Sequence, residues 1–260
     1  MAEVSQFDNN DNQMRGTDNN VDNQSQLHDV SRTIESDDHG TEQGLAFIEI
    51  CAGSAKLSAA ARERGIRSMA VDHQANKHTT HHAISFYDLT SPKAQTNLME
   101  ALEGDIPGAI HVAPPCRTCS RAREKPFPGL GDLAPKPLRD ERYPFGYPWL
   151  TGTERARVLQ SNLLYAFVVQ LLFFPFTYNV IISVENPANS WLWMILKELV
   201  VALGNRQFQR WYQHLEAVQF SNCAFGGATG PRTLDGYQLQ MSIQNLPNLA
   251  QVIASTSLIQ

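Results

Sequence analysis

Cysteine is scarce in this 260-residue chain, with only Cys51, Cys116, Cys119 and Cys223. Four cysteines so scattered make no disulfide framework and suit a reducing, intracellular compartment. Cys116 and Cys119 form a Cys-x-x-Cys pair, but no second pair completes a four-cysteine zinc site. A thioredoxin-like redox use stays open, although two prolines stand directly before the first cysteine where a helix start is usual. Long apolar runs are also lacking. Leu163 to Phe176 is interrupted by Gln170 and meets Pro175, short of the roughly 20 residues that span a bilayer. It reads as a buried helix, and no membrane partner is expected. The N-terminus has no charged-then-apolar signal peptide, and no charged residue occurs beyond Asp235.

Large apolar side chains are nearly absent from residues 1–44, which hold 10 acidic and 2 basic residues. Such a segment cannot offset the cost of ordering, so it reads as a disordered acidic and polar tail. The remainder holds 16 acidic and 19 basic residues, a mildly basic domain compatible with nucleic acid but not demanding it.

What is present begins at Leu45, with a strand to Cys51, the turn Ala52-Gly53-Ser54, and a helix from about Ser54 to Arg64. A second strand, Arg67 to Val71, closes on Asp72. A strand, glycine turn, helix, strand and terminal acid form the order of a nucleoside-binding βαβ unit. One glycine is too few for a dinucleotide fingerprint, but Gly53 lets the backbone approach a ligand and Asp72 can accept from ribose hydroxyls. His73, His78, His81 and His82 follow. With no acid or cysteine interleaved they read as a polar loop, and no metal is expected. A short strand at Ile84 to Tyr87 ends on Asp88, either a ligand for an amino group or a cap for the helix from Ser91-Pro92 to about Leu102.

The centre of the chain is Gly108-Ala-Ile-His-Val-Ala-Pro-Pro-Cys116-Arg-Thr-Cys-Ser120. Its first half is a short buried strand, which the two prolines end stiffly. Cys116 is thereby expected at the carboxyl edge of a sheet, where open α/β folds bind ligands. Arg117, Arg121, Arg123 and Lys125 are expected to favour its thiolate. A buried, inert thiol is the bland alternative. The long segment to Trp149 interleaves Phe127, Tyr143, Phe145, Tyr147 and Trp149 with Arg139 and Arg142. That mixture suits phosphate contacts and base stacking, or else packs on the domain.

Thr151-Gly-Thr-Glu154 has capping-box form and opens a helix to about Phe174. Tyr178 to Val184 reads as a buried parallel strand ending in Glu185-Asn186-Pro187, a carboxylate placed for a site. A helix from Ser190 to Leu203 and a strand-rich stretch from Arg210 to Phe225 follow.

In this order the motifs resemble those of the DNA cytosine-5 methyltransferases. The stretch Phe47-Ile-Glu49-Ile-Cys51-Ala52-Gly53-Ser54 looks like the family's first cofactor motif, and Asp72 and Asp88 match the acids of the second and third. Pro114-Pro115-Cys116, with Ser120 beyond, resembles the catalytic Pro-Cys motif, and Glu185-Asn186-Pro187 the Glu-Asn-Val motif. The match covers about residues 45–190. It implies an α/β, Rossmann-like class I methyltransferase fold, a mostly parallel central sheet with helices on both faces, and S-adenosylmethionine as cofactor. Phe47, Glu49, Cys51, Ala52, Gly53, Ser54, Asp72, His73, Asp88 and Pro114 would hold the cofactor. Cys116 would add to carbon 6 of a flipped cytosine, and Glu185 would bind the ring nitrogen and amino group. Pro115, Arg117, Ser120, Asn186, Pro187 and Arg232 would line the substrate side.

There are departures. Arg117 stands where the family usually has glutamine, and Arg232 is at best a remnant of its later Gln-x-Arg-x-Arg motif. The expected domain spans residues 45–235, with 236–260 an irregular tail; a protein partner that supplies target recognition stays open. DNA is the expected substrate, with nuclear localisation if the source is eukaryotic. Methyl transfer to RNA stays open, as does a catalytically inactive cofactor- or nucleic-acid-binding remnant. An amino methyltransferase is disfavoured, because Ala113 rather than a polar residue precedes the prolines.

Overall fold

The strands do not sit in the sheet in chain order. The computed structural model describes residues 44–125, 129, 134–220 and 237–242, all within the second of two units, Glu42–Gln260. Seven strands form one sheet: β1 (Phe47–Ile50), β2 (Ser68–Asp72), β3 (Ile84–Phe86), β4 (Ala109–Val112), β5 (Ile181–Pro187), β6 (Glu216–Phe220) and β7 (Tyr237–Ser242). Their order is β3-β2-β1-β4-β5-β7-β6. The first five are mutually parallel, and β7 runs antiparallel to both β5 and β6. The order reverses between β1 and β4, the switch point at whose carboxyl ends such sheets open a crevice. This is the Rossmann-like α/β class expected from the βαβ pattern.

Alternation along β1 assigns the two faces. Phe47 packs with Leu57 and Ala61 of α1 (Lys56–Glu63), while Ile48 and Ile50 join the main core. That core includes Leu98 and Leu102 of α2 (Pro92–Gly104), Val168 and Leu172 of α3 (Gly152–Tyr178), Ile195 of α4 (Leu192–Ala202) and Phe208 of α5 (Arg206–Gln213). Helices therefore cover both faces.

Several expectations are corrected. The helix opened by Gly152 does not stop at Phe174; it passes Pro175 and ends at Asn179, whose left-handed backbone closes it and whose N–H donates to the Pro175 carbonyl. A proline in the last turn disturbs few hydrogen bonds. With 27 residues α3 is long and apolar enough to cross a membrane, yet half of its apolar window is buried in the protein. Thr151 makes no side-chain cap bond, so the capping-box pattern is not realised. Of the stretch from Arg210 read as strand-rich, residues 210–213 belong instead to α5, and the strand begins at Glu216. Asn205 accepts from the Phe208 N–H, and Phe208, Trp211 and Tyr212 recur at helical spacing. Finally, 236–260 is not wholly irregular, because Tyr237–Ser242 pairs between β5 and β6. Its tyrosine, leucine and methionine alternate with glutamines and serine, the period of a strand. The putting aside of residues 1–44 as a tail lies almost wholly outside the described residues.

Candidate active site

The turn after β1 is built from left-handed residues. Cys51, Gly53 and Ala55 have φ of 58°, 56° and 55°. Only the glycine adopts this freely; each of the others costs about 1–2 kcal/mol. Asp72, at the end of β2, holds the turn in place. Its carboxylate accepts from the Gly53 N–H at 2.7 Å, from the His73 N–H at 2.6 Å and from the Asn76 side chain at 3.1 Å. Asn76 also donates to the Gly53 carbonyl. A Cβ on Gly53 would meet nothing closer than His78 at 3.9 Å, so the glycine answers to conformation rather than crowding. Nearby, Asp88 accepts from the Thr90 N–H and hydroxyl and lies 3.7 Å from the His73 ring. The Thr90 hydroxyl bond holds the half-exposed Asp88 carboxyl below its ordinary range, despite some burial.

Some residues expected at the cofactor lie elsewhere. Phe47 starts β1 at the sheet's amino-terminal edge and is core, buried against Leu57, Ala61, Ala109 and Ile181. It is removed from the ligand edge. Glu49 is 2% exposed and accepts from the Ser58 N–H in the first turn of α1 at 2.7 Å. It serves the helix, and burial pushes its carboxyl up to about 7 against these hydrogen bonds. Cys51 and Ala52 belong to the turn. Burial and the Asp72 charge push the Cys51 thiol up to about 12, so it stays protonated. The Ser54 carbonyl accepts from the His81 N–H, tying the histidine loop to the turn.

The β1 turn and the Pro-Pro-Cys turn meet where the Ala113 N–H donates to the Ile50 carbonyl at 3.1 Å. Beyond Ala113 each residue is held from outside. The buried Asn186 side chain donates to the Pro114 carbonyl at 2.7 Å, and the Tyr165 hydroxyl donates to the Pro115 carbonyl at 3.0 Å. The Cys116 carbonyl accepts from the Cys119 and Ser120 N–H groups, both at 2.7 Å. Ser120 then caps the short 3-10 turn Arg121–Glu124.

Cys116 is half-buried, and that burial pushes its thiol up, with Arg117 acting in the opposite direction. The cationic cluster expected to ionise it is otherwise engaged. Arg121 pairs with Glu124 at 2.8 Å and stacks over Trp191, and Arg123 donates to the Arg117 and Lys136 carbonyls.

Arg139, expected at a phosphate, is 1% exposed. Its guanidinium donates to the Pro144 carbonyl, the Asn162 amide oxygen and the Thr118 hydroxyl, lies over Tyr165, and leaves Nε without a partner among the described residues. It fastens the loop to the cysteine turn. The loop's outer side carries Trp149, 64% exposed and stacked on Tyr147 at 4.7 Å between ring centres. A groove of about 520 Å³ lies beside it, lined by Arg121, Glu124, Asp140, Arg142, Tyr147 and Trp191; neither Gly53 nor Asp72 borders it.

Glu185 and Asn186 lie within β5 rather than beyond it, paired with Leu239 and Gln238 of β7. Both extend past the last pairing of β4 with β5, Val112 with Val184. Burial pushes the Glu185 carboxyl up. The Pro187 carbonyl accepts from the Trp193 indole. Arg232 lies outside the described residues. Sequence reading passed over His111, Ser183, Asn76, Thr118 and Tyr165. The visible signal for two of them was a polar residue flanked by apolar ones inside a buried strand, His111 in β4 and Ser183 in β5. Among the described residues no three histidine, cysteine or acidic side chains converge as metal ligands.

No protein-family model matches the chain, and no curated protein sequence does. Among solved structures it is similar to the Entamoeba histolytica methyltransferase EhMeth, at 13% identity and a TM-score of 0.43, over 80% of this chain and 55% of that one. It is similar to the S. pombe Dnmt2 methyltransferase at 14% identity and a TM-score of 0.39, over 78% of this chain and 51% of that one. A Spodoptera frugiperda DNMT2 mutant gives 16% identity and 0.39 over the same shares. The chain spans about half the length of each.

Proposed function

We propose that this protein transfers a methyl group from S-adenosylmethionine to carbon 5 of cytosine in DNA, with Cys116 as nucleophile and Glu185 as the acid that binds the base. The observation carrying this reading is the 2.7 Å hydrogen bond from Asn186 to the Pro114 carbonyl. It joins the strand bearing the acid to the turn bearing the thiol, on adjacent strands at one sheet edge.

The residues fit the cofactor. Three protein donors rest on Asp72, and an ionised carboxylate offers about four lone-pair directions, which leaves one for a ribose hydroxyl. Asp88 has one oxygen engaged by Thr90 and the other open to an amino group. S-adenosylmethionine, when bound, supplies an electrophilic methyl group.

Burial favours the neutral forms of both Cys116 and Glu185, which sets the proton inventory. Cys116 releases its proton to water as sulfur bonds to carbon 6, and Glu185 gives its own proton to the ring nitrogen. The electron pair of the 5,6 double bond then stays on carbon 5 without a full charge building on the ring. After methylation, the carbon 5 proton passes to water, the double bond re-forms as the carbon 6–sulfur bond breaks, the thiolate regains a proton from water, and the ring nitrogen returns its proton to Glu185. The exposed Trp149 and Tyr147 stack supports a nucleic-acid substrate.

Trapping on duplex DNA containing 5-fluorocytosine tests the proposal, because fluorine cannot leave as a proton does. The expected result is a cofactor-dependent covalent adduct with the native protein and none with Cys116→Ala. An adduct on the matching RNA but not on DNA would overturn the DNA assignment. Absence of both, from folded protein that binds the cofactor, would overturn methyl transfer through Cys116.

A further inference from the structure

One face of the sheet carries a row of buried polar groups that the chemistry above leaves unused. Glu49 on β1 is in register with His111 on β4, and His111 with Ser183 on β5. Glu185 stands two residues beyond Ser183, on the same face of β5. His111 is 1% exposed and Ser183 fully buried. The His111 ring places Nδ1 2.8 Å from the Ser183 hydroxyl and Nε2 3.7 Å from a Glu185 oxygen.

The hydrogen positions follow from what each group can do. Among the described residues the Ser183 hydroxyl has one partner, His111 Nδ1. A buried hydroxyl hydrogen needs an acceptor, so Ser183 donates and Nδ1 accepts. The ring proton of a neutral imidazole is then on Nε2, facing Glu185. We propose that His111 is a positioning residue for Glu185: Ser183 fixes its tautomer, and its Nε2–H anchors one carboxyl oxygen so that the other, carrying the acid's proton, faces the base. This rests on the methyl-transfer reading for its purpose, but the contact itself does not.

The surroundings are consistent with a neutral ring. Burial pushes His111 down to about 4. The other titratable group in register on this face is Glu49, itself capping α1; β7 places Leu239 opposite Glu185. At 3.7 Å the Nε2–Glu185 contact is longer than a hydrogen bond, so anchoring needs an approach of somewhat under 1 Å, within the reach of a side-chain adjustment.

The test is a carboxyl carbon NMR titration of Glu185 in the full chain, assigned through Glu185→Gln, across three variants. His111→Leu removes the donor, His111→Gln restores one, and Ser183→Ala leaves the ring but releases its tautomer. The expected result is an upward move of the Glu185 midpoint of about one pH unit in His111→Leu, at least half reversed in His111→Gln, with a smaller upward move in Ser183→Ala. An unchanged or lowered midpoint in His111→Leu, or no recovery with glutamine, would overturn the contact. If His111→Leu does not fold, Ser183→Ala decides alone: an unmoved midpoint there overturns it. In the trapping assay His111→Leu should lower the maximal rate of adduct formation about tenfold while leaving the half-saturating DNA concentration within twofold. No adduct from the native protein overturns the catalytic purpose, while the titration still reads the contact.

Discussion

Asn186 reaches from β5 to the carbonyl of Pro114, 72 residues earlier, and no other donor reaches that carbonyl among the described residues. Replacing Asn186 with alanine leaves a buried carbonyl without a donor, which costs about 1–3 kcal/mol. The expected result is a lowered urea midpoint together with a loss of trapping on 5-fluorocytosine DNA larger than the stability loss alone explains, because the cysteine turn is no longer tied to the strand of the acid. Trapping at the native rate in a folded Asn186→Ala protein would show that the tie does not matter to the chemistry.

Glu49 and His111 give stability opposite dependences on pH. Glu49 has a folded value raised to about 7 from 4.5, so its contribution is fully present below 4.5 and is lost as pH rises through 7. His111 has a folded value lowered to about 4 from 6.5, so its contribution is present above 6.5 and is lost as pH falls through 4. Between 4.5 and 6.5 the two largely cancel. Glu49→Gln keeps an oxygen for the Ser58 N–H but cannot ionise. Its expected effect is stabilisation by up to about 3 kcal/mol at pH 8, little change at pH 4, and a stability that climbs more steeply than the native protein's from pH 4.5 to 6.5, because the opposing Glu49 slope is gone. Urea unfolding across that range checks it.

Arg139 holds three acceptors from different segments: Pro144, Asn162 and Thr118. Arg139→Met should cost about 2–3 kcal/mol in urea unfolding, since its partners stay buried without a donor. Arg139→Lys should recover only part, because an ammonium cannot reproduce the planar fork.

Trp149 is exposed and stacks on Tyr147, which itself packs on the small buried cluster of Leu138, Leu150 and Val158. Trp149→Ala is expected to leave the urea midpoint nearly unchanged and to weaken DNA binding on the order of tenfold, the scale of one lost base stack. Fluorescence anisotropy with a labelled oligonucleotide measures it. Unchanged affinity would mean that the stack serves the loop and not a ligand.

The elements legible in the sequence were those in which local pattern and burial agree. β1, its turn, β2 and Asp72 follow one another with a glycine where a left-handed residue is needed, and β5 is apolar but for Ser183 up to Glu185. What was hidden depended on distant partners. Arg139 looks like a solvent-facing cation until Thr118, 21 residues away, is seen to receive it. Glu49 looks like a ligand until the Ser58 N–H is found on it. The segment after Asp235 carries no charge and alternates too mildly with glutamine to declare a strand, and its pairing comes from β5 and β6 rather than from its own residues. His111 sits in an apolar run where a strand pattern absorbs it, and its meaning depends on the register that sets it beside Ser183.

That register has a consequence in time. β7 is the last strand of the sheet to leave the ribosome, yet it lies inside the sheet and supplies the only pairing of β6 among the described residues. Until it emerges, β5 presents an open edge along the residues that carry Glu185 and Asn186. The pairing beside the candidate site therefore closes after those of β1 to β5, and the edge bearing Glu185 and Asn186 is the last part of the parallel sheet to gain its neighbour.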